Sequence, residues 1–501
     1  MQLVLKASYN SAQLGVDDIG DGTALVVENG VARLLYVDET VNKAYSTSLG
    51  TLSAPGSGYM TPDLLADSAE WTLIQPNGGM AFEQTGGQTR AYIYGSHTGA
   101  LTMTMLGATG APGTATIVGT SNGTLSGIET FSVIERSASD LAVLTKWNTP
   151  GLTIYEVSST GFLTQTATLV DTSKSYLGNV SDSASLSIGS ADYLLTLSSL
   201  ENGMTIYTVN AAGQATLNDS LGTHDGLAVG GPAAMQLVQV AGETYAIVAS
   251  TGSSSLTSVR INDMGCLFIE DQLVDDLSTR FAHTEALDAF TMNGRSFIVT
   301  AGTDAGISFI EVLPGGEFQA FYSVPLETGT GLAAVTSVDA AVSGTTAQIF
   351  VIDATSEQIR QYELAMNDLG PCVMGSGTRT QGTTLGDLII GGSGAETLQG
   401  LQGNDFIHDG AGADTLYGGA GEDVFVFGLD SSTDKLADYE PNIDVIDVSD
   451  WGRFYTADAL TIKSTPTGAE ISFGSNVLVV TSLSGTSLSV ASFTDSDFIF
   501  S

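Results

Sequence analysis

Apolar and polar residues alternate in short runs along the first 366 residues, and the runs recur. A strand-like hexapeptide appears as LTMTML, LTIYEV, MTIYTV, LTSVRI, ISFIEV and IRQYEL, ending at Leu106, Val157, Val209, Ile261, Val312 and Leu364. Successive ends are almost evenly spaced, the intervals differing by no more than one position. About a dozen residues before each end sits a more continuous apolar run: RAYIYG, DLAVLT, YLLTLS, YAIVAS, SFIVTA and QIFVID. A further strand such as GFLTQTATL, GQATLNDSL, GCLFIEDQL or GEFQAFYSV follows. Four short strands at a period of about 50 are the pattern of a propeller blade. No long segment has a 3.6-residue apolar period, so little helix is expected. A first, less regular copy, RLLYVDETVNKAYSTSL at residues 33–49, brings the expected blade count to seven. The single uninterrupted period argues against a β-sandwich or a pair of them.

The ends of this region bear on ring closure. The last copy stops after IRQYEL with no fourth strand, and the chain begins with an unmatched strand-like segment, Gln2 to Ser8. That segment is expected to pair with residues near 359–364 and so remove an exposed edge. Residues 367–381, rich in Gly, Ser and Thr, are expected to be a linker.

A sharper period follows at residues 382–426: GTTLGDLII, GGSGAETLQ, GLQGNDFIH, DGAGADTLY, GGAGEDVFV. An acid recurs in every ninth place, at Asp387, Glu396, Asp405, Asp414 and Asp423. Two residues later comes a large apolar side chain, at Ile389, Leu398, Ile407, Leu416 and Phe425. This is the calcium-binding nonapeptide pattern G-G-x-G-x-D-x-U-x. Its glycines permit a tight turn that aims carbonyl oxygens at a cation, and the acid adds a carboxylate. Calcium takes about six to eight oxygens, more than one turn supplies. Turns n and n+2 are therefore expected to stack and share an ion, pairing Asp387 with Asp405, Glu396 with Asp414, and Asp405 with Asp423. The candidate carbonyl donors are Gly391, Gly392, Gly394, Gly400, Gly403, Gly410, Gly412, Gly418, Gly419 and Gly421. Three departures stand out: Leu385 replaces a glycine, Glu396 replaces an Asp, and Asp409 stands where glycine is usual. Asp409 is expected to distort its turn, and His408 to be an exposed strand residue.

These repeats resemble the RTX (repeats-in-toxin) calcium-binding domain of proteins exported by bacterial type I secretion. The following FGLDSSTDKLADYEPNIDVIDVSDW resembles the segment after such repeats in serralysin-like C-terminal domains, with Asp430, Asp434, Asp438, Asp444 and Asp447 as further candidate ligands. The resemblance implies about three or more Ca2+ ions and folding outside the cell. It also implies export by an ABC transporter apparatus through an uncleaved C-terminal signal, here SFTDSDFIFS. Residues 458–500 alternate apolar and polar as a small antiparallel cap would. The expected architecture is all-β. A seven-bladed β-propeller (1–366) precedes the linker, a calcium-binding parallel β-roll (382–450) and a C-terminal cap with the secretion signal (451–501).

Charge agrees with this division. Among 501 residues, 55 Asp and Glu face 15 Lys and Arg, a net −40. Residues 382–450 hold 14 acids against one base, Lys435, about three times the density of negative charge elsewhere. Such a balance repels phosphate backbones, so no nucleic-acid partner is expected. No apolar stretch reaches the roughly 18 residues of a membrane helix, so no membrane insertion is expected. Two cysteines, Cys266 and Cys372, are too few for a disulfide framework. The amino terminus, MQLVLKASYNSAQLG, lacks a basic start and a long apolar core, so no Sec-type leader is expected.

Catalytic signatures are sparse. There is no H-E-x-x-H, no G-x-S-x-G and no P-loop. Segments leading into the innermost strands carry Glu129, His224, Asp225, His283 and Glu285. A carboxylate–imidazole rim of Glu129, His224, His283 and Glu285 could bind a metal, act as acid and base, or be a solvated polar edge. The propeller pattern also resembles bacterial lactonase-type propellers, though no catalytic residue transfers from them. Two functions follow as expectations. In the first, the propeller of a secreted protein binds a glycan, cell surface or matrix. In the second, the channel rim hydrolyses an ester or lactone.

Overall fold

The structure is a computed structural model. It describes residues 3–10 and 13, the strands lying between 24 and 94, and 100–500 apart from 108–110, 121–122, 137–138, 147, 285, 305, 326–334, 354–357 and 431. The chain divides into two compact units, Met1–Phe290 with Ser296–Ala365, and Thr291–Arg295 with Met366–Ser501.

The first unit is all-β and propeller-like. Blade 1 contains Gly79–Thr85, Gln88–Tyr94, Thr102–Leu106 and Thr116–Ile117. Blade 2 contains Ile128–Ile134, Leu141–Lys146, Thr149–Val157 and Leu163–Leu169. Blade 3 runs Val180–Ile188, Ala191–Ser198, Gly203–Val209 and Ala215–Leu221, and blade 4 Pro232–Val240, Glu243–Ser250, Ser255–Ile261 and Leu267–Val274. Blade 5 runs Ala286–Met292, Arg295–Ala301, Gly306–Val312 and Phe318–Pro325. Blade 6 is built of Ser337–Ser343, Thr346–Asp353 and Gln358–Ala365, and its fourth strand is the amino-terminal Leu3–Asn10. That strand runs antiparallel from Leu3↔Leu364 to Asn10↔Gln358.

Among the described residues, six regular blades replace the seven expected. The first copy forms a different sheet, Ala24–Glu28, Val31–Asp38 and Lys43–Thr51, with Ala54–Pro55 and Asp63–Ala66 both paired to Lys43–Thr51. Among the described residues its outer edge is two short segments rather than one full strand, which sets it apart from the six blades.

The apolar runs are the second strands. Leu141–Lys146, Glu243–Ser250 and Arg295–Ala301 are buried almost throughout, since each is covered on both faces. The fourth strands are mostly half-buried or exposed, since each is the outer strand of its blade. The cores lie between blades: Tyr92, Phe131, Leu144 and Tyr155 join blades 1 and 2, and Tyr193, Ile206, Met235 and Val259 join blades 3 and 4. Carboxylates fasten successive blades. Asp219 Oδ2 accepts the Leu267 N–H at 2.9 Å, and Asp271 Oδ2, at the same place one blade on, accepts the Phe318 N–H at 2.8 Å.

The second unit is a parallel β-solenoid. One sheet stacks Leu369–Met374, Gly386–Ile390, Phe406–His408, Val424–Val426, Val445–Asp447 and Phe498–Ile499. The other stacks Arg379–Gln381, Thr397–Gln402, Thr415–Ala420 and Thr433–Tyr439, then continues into Asn476–Ser482, Gly468–Phe473 and Thr461–Thr465. In the repeat region two nonapeptides make one coil, which sets Ile389↔Ile407↔Phe425 and Leu398↔Leu416 in register. These apolar side chains are fully buried and form the core with Leu436, Ile446, Trp451 and Phe498.

Residues 367–381 are not a linker, because Leu369–Met374 and Arg379–Gln381 belong to the two sheets. The cap is the antiparallel meander expected, and the chain's last segment adds a strand rather than trailing free.

Candidate calcium site

The acids of the nonapeptides form two ladders along the turns of the solenoid. On one, the Asp387 N–H donates to Asp405 Oδ1 at 2.8 Å, the Asp405 N–H to Asp423 Oδ1 at 2.9 Å, and the Asp423 N–H to Asp444 Oδ1 at 3.2 Å. On the other, the Glu396 N–H donates to Asp414 Oδ1 at 2.7 Å and the Asp414 N–H to Asp434 Oδ1 at 3.0 Å. The three pairs expected from the sequence are thus neighbours, and Asp423–Asp444 and Asp414–Asp434 extend the series.

Glycine is needed for two separate reasons. Gly403, Gly410, Gly412, Gly419 and Gly421 have positive φ, which L side chains rarely adopt. At Gly400 and Gly418 a Cβ would collide with the carboxylates of Asp405 and Asp423. Gly391 abuts the Asp409 carbonyl and Gly392 the Glu396 carboxylate, whereas Gly394 faces open space. Leu401 occupies a usual glycine place at φ 92°, a strained residue in the series. Gly418→Val should therefore weaken calcium binding at least tenfold, roughly 1.4 kcal/mol. Calorimetric titration of the full chain measures it, and unchanged affinity would separate Gly418 from the ion.

Burial makes these carboxylates hungry for a cation. Asp387, Asp405, Asp414, Asp423 and Asp444 are at most 3% exposed. Asp405 Oδ2 and Asp414 Oδ2 are buried with no hydrogen-bond partner. Burial, followed by the charges of neighbouring carboxylates, pushes Asp405 up to about 7, Asp414 and Asp423 to about 6, and Asp444 to about 7. Among the described residues no three His, Cys, Asp or Glu side chains form a metal cluster. An ion here would draw on paired carboxylates and backbone carbonyls, the all-oxygen donor set of calcium.

The other candidates fall at different places. Asp438 accepts the Gly418 and Gly419 N–H groups at 3.1 Å, and Asp430 accepts the Gly412 N–H, so both brace turns. Asp447 accepts the Ser449 N–H at 2.9 Å and lies outside the ladders. Asp409 does not disrupt its turn: buried, it accepts the Gly428 N–H at 3.0 Å, and the strand register is kept on both sides of it. His408 is half-buried rather than exposed, its Nδ1 accepting the Gly410 N–H at 3.0 Å. Leu385 keeps its turn, its N–H reaching the Thr383 hydroxyl.

The propeller rim is less coherent. His224 is exposed in a short 3-10 turn between blades 3 and 4. His283 is exposed, with Nδ1 3.3 Å from the Thr303 hydroxyl. Glu129 is half-buried in the first strand of blade 2, and Glu285 lies outside the described residues. No helix among the described residues is long and apolar enough to cross a membrane.

Fold and site together define an all-β chain that joins a propeller-like unit to an acid-laddered parallel solenoid. Residues 390–425 match the profile of the RTX calcium-binding nonapeptide repeat in four copies. The chain therefore carries calcium-binding repeats, and such repeats point to a secreted calcium-binding protein. It is also similar to a crystal structure of a protein from Lactobacillus plantarum, with 17% identity and a TM-score of 0.43 over 64% of this chain and 92% of that one. No curated protein sequence matches it significantly.

Proposed function

We propose that this is a bacterial extracellular protein whose RTX tail serves type I secretion and calcium-triggered folding, while its propeller binds a glycan, cell surface or matrix. The observation that carries the tail's role is the pair of ladders, with two buried carboxylate oxygens lacking partners. Asp387, Glu396, Asp405, Asp414 and Asp423 hold the ions, joined by Asp434 and Asp444, with carbonyls of the turn glycines completing each shell. Asp438 positions a turn. Asp447 would have to bind outside the ladders. Five adjacent acid pairs set the expected number of ions at about three to five.

Low calcium leaves the acids mutually repelling and the solenoid open, which suits passage through an ABC transporter channel. Millimolar calcium outside then binds only the folded form and stabilises it by mass action. The propeller is assigned to binding rather than hydrolysis because the two imidazoles among its described residues, His224 and His283, are exposed at separate blade junctions. The test is to apply the full chain with calcium to glycan arrays and bacterial cells. Saturable binding supports the assignment. No binding, together with turnover of an ester or lactone, would replace it with the hydrolase reading.

A further inference from the structure

The junctions between blades are built to one plan, broken in blade 1 and again in blade 6, where buried Gln348 faces Ala341. In blades 2 to 5 the second strand carries Leu141, Tyr193, Tyr245 and Phe297 at equal intervals. Each meets an apolar residue of the first strand: Ile134, Leu186 and Val238 by register, and Phe290 by a ring stack at 5.2 Å. The next blade's last turn closes over it. Gly213, Gly265 and Gly316 lie against Leu141, Tyr193 and Tyr245 with no room for a Cβ.

Blade 1 has Arg90 at the corresponding place in its second strand, and its first-strand partner is Glu83. Both are almost fully buried, 3% and 1% exposed, with Arg90 Nη1 2.6 Å from Glu83 Oε2. The Tyr92 hydroxyl donates to the same oxygen at 2.7 Å, and Arg90 Nη2 donates to the Ser159 carbonyl at 3.1 Å. Arg90 Nε–H is buried without a partner. A buried ion pair generally adds little stability over an apolar pair of similar volume. Four junctions of this chain show that the fold works with apolar pairs.

The charged pair lines a cavity of about 550 Å³, with Arg136, Asp140, Glu156 and Ser158 among its other walls. Arg136 is held in place, donating from Nε to the Ser139 carbonyl at 2.9 Å and from Nη1 to the Asn210 carbonyl at 3.0 Å. Cavities for apolar ligands are lined mainly by hydrophobic side chains, and this one is lined by guanidinium, carboxylate and hydroxyl groups. Three carboxylates disfavour an anion and two guanidinium groups disfavour a cation. What remains is a neutral molecule whose surface both donates and accepts.

We infer that this cavity binds a saccharide unit, with vicinal hydroxyls donating to the carboxylates of Asp140 and Glu156 that line it. The inference rests on the reading that the propeller takes an extracellular ligand, and it names the site. The test is calorimetric titration of the full, calcium-loaded chain with glucose, galactose, mannose, N-acetylglucosamine and their disaccharides. At least one should bind. Asp140→Asn should weaken it tenfold or more. The double variant Glu83→Ile, Arg90→Leu, which installs the pair of blade 2, should abolish binding while melting within a few degrees of the parent. Should the double variant fail to fold, Asp140→Asn decides. Unchanged affinity in the folded variants overturns the site while leaving the propeller a binding unit. Binding to bacterial cells with no saccharide bound overturns it as well. Failure to bind cells, glycans and saccharides alike removes the broader reading too.

Discussion

Removing calcium should unfold the solenoid and leave the strand signal of the propeller-like unit in place. Each ion that binds only the folded form, at about a thousand times its dissociation constant, contributes about 4 kcal/mol. Three or more ions together match the whole stability of an ordinary domain, about 5–15 kcal/mol. Without them the folded solenoid must hold Asp405, Asp414, Asp423 and Asp444 buried and close to like charges. Trp451 reports on this unit, being 5% exposed in its core with Leu436, Leu488 and Phe493. In a chain whose other tryptophans, Trp71 and Trp147, are replaced by Phe, EDTA at pH 7.5 should red-shift the emission to that of exposed indole. Calcium should restore it. Each unit has its own hydrophobic clusters, so much of the far-UV β-signal should survive chelation. An unshifted Trp451 spectrum in EDTA would show that the ladders fold without ions.

What could be read from the sequence depended on whether spacing stayed constant. Asp387, Asp405 and Asp423 are separated by two nonapeptides each, and so are Glu396 and Asp414, so both ladders were visible as a period of nine. Asp434 follows Asp414, and Asp444 follows Asp423, at slightly longer intervals, because insertions lengthen those coils. Their acids looked like possible ligands without a place. The coils before the repeats were hidden for the opposite reason. Gly370 abuts Asp387 and Thr378 stands one coil before Glu396, and neither carries a carboxylate. A strand needs only its backbone and one inward side chain to stack, so those coils form where the calcium pattern is absent. The blade count differed at the first copy, where the outer edge is the two short segments Ala54–Pro55 and Asp63–Ala66, which alternation alone could not distinguish from one strand. The buried Glu83–Arg90 pair was equally opaque. In one dimension both residues read as the polar face of a strand.

Acid should partly replace calcium. In the ion-free solenoid, burial and neighbouring carboxylates hold Asp405 and Asp444 near 7 and Asp414 and Asp423 near 6. In the unfolded chain the same groups titrate at about 4. Between pH 4 and 7 the folded form therefore binds more protons than the unfolded form, and its stability falls as pH rises through that window. In calcium-free buffer, lowering the pH from 7.5 to 5 should return Trp451 emission toward the buried position. It should also raise the melting temperature reported by that residue by about 5 °C or more. In saturating calcium the order should reverse, because protons and ions compete for the same oxygens and the ion requires the charged carboxylate. The two slopes have opposite signs only if the ladder acids bind the ion. Unpaired surface acids would give a shallow dependence of the same sign in both buffers, and acids braced by backbone N–H groups alone would lose stability on acidification in both. Asp405→Asn tests the assignment within one ladder. A neutral amide removes one titrating group, so it should flatten the calcium-free slope. It should also weaken calcium at both neighbouring pairs, Asp387–Asp405 and Asp405–Asp423, since one side chain serves both.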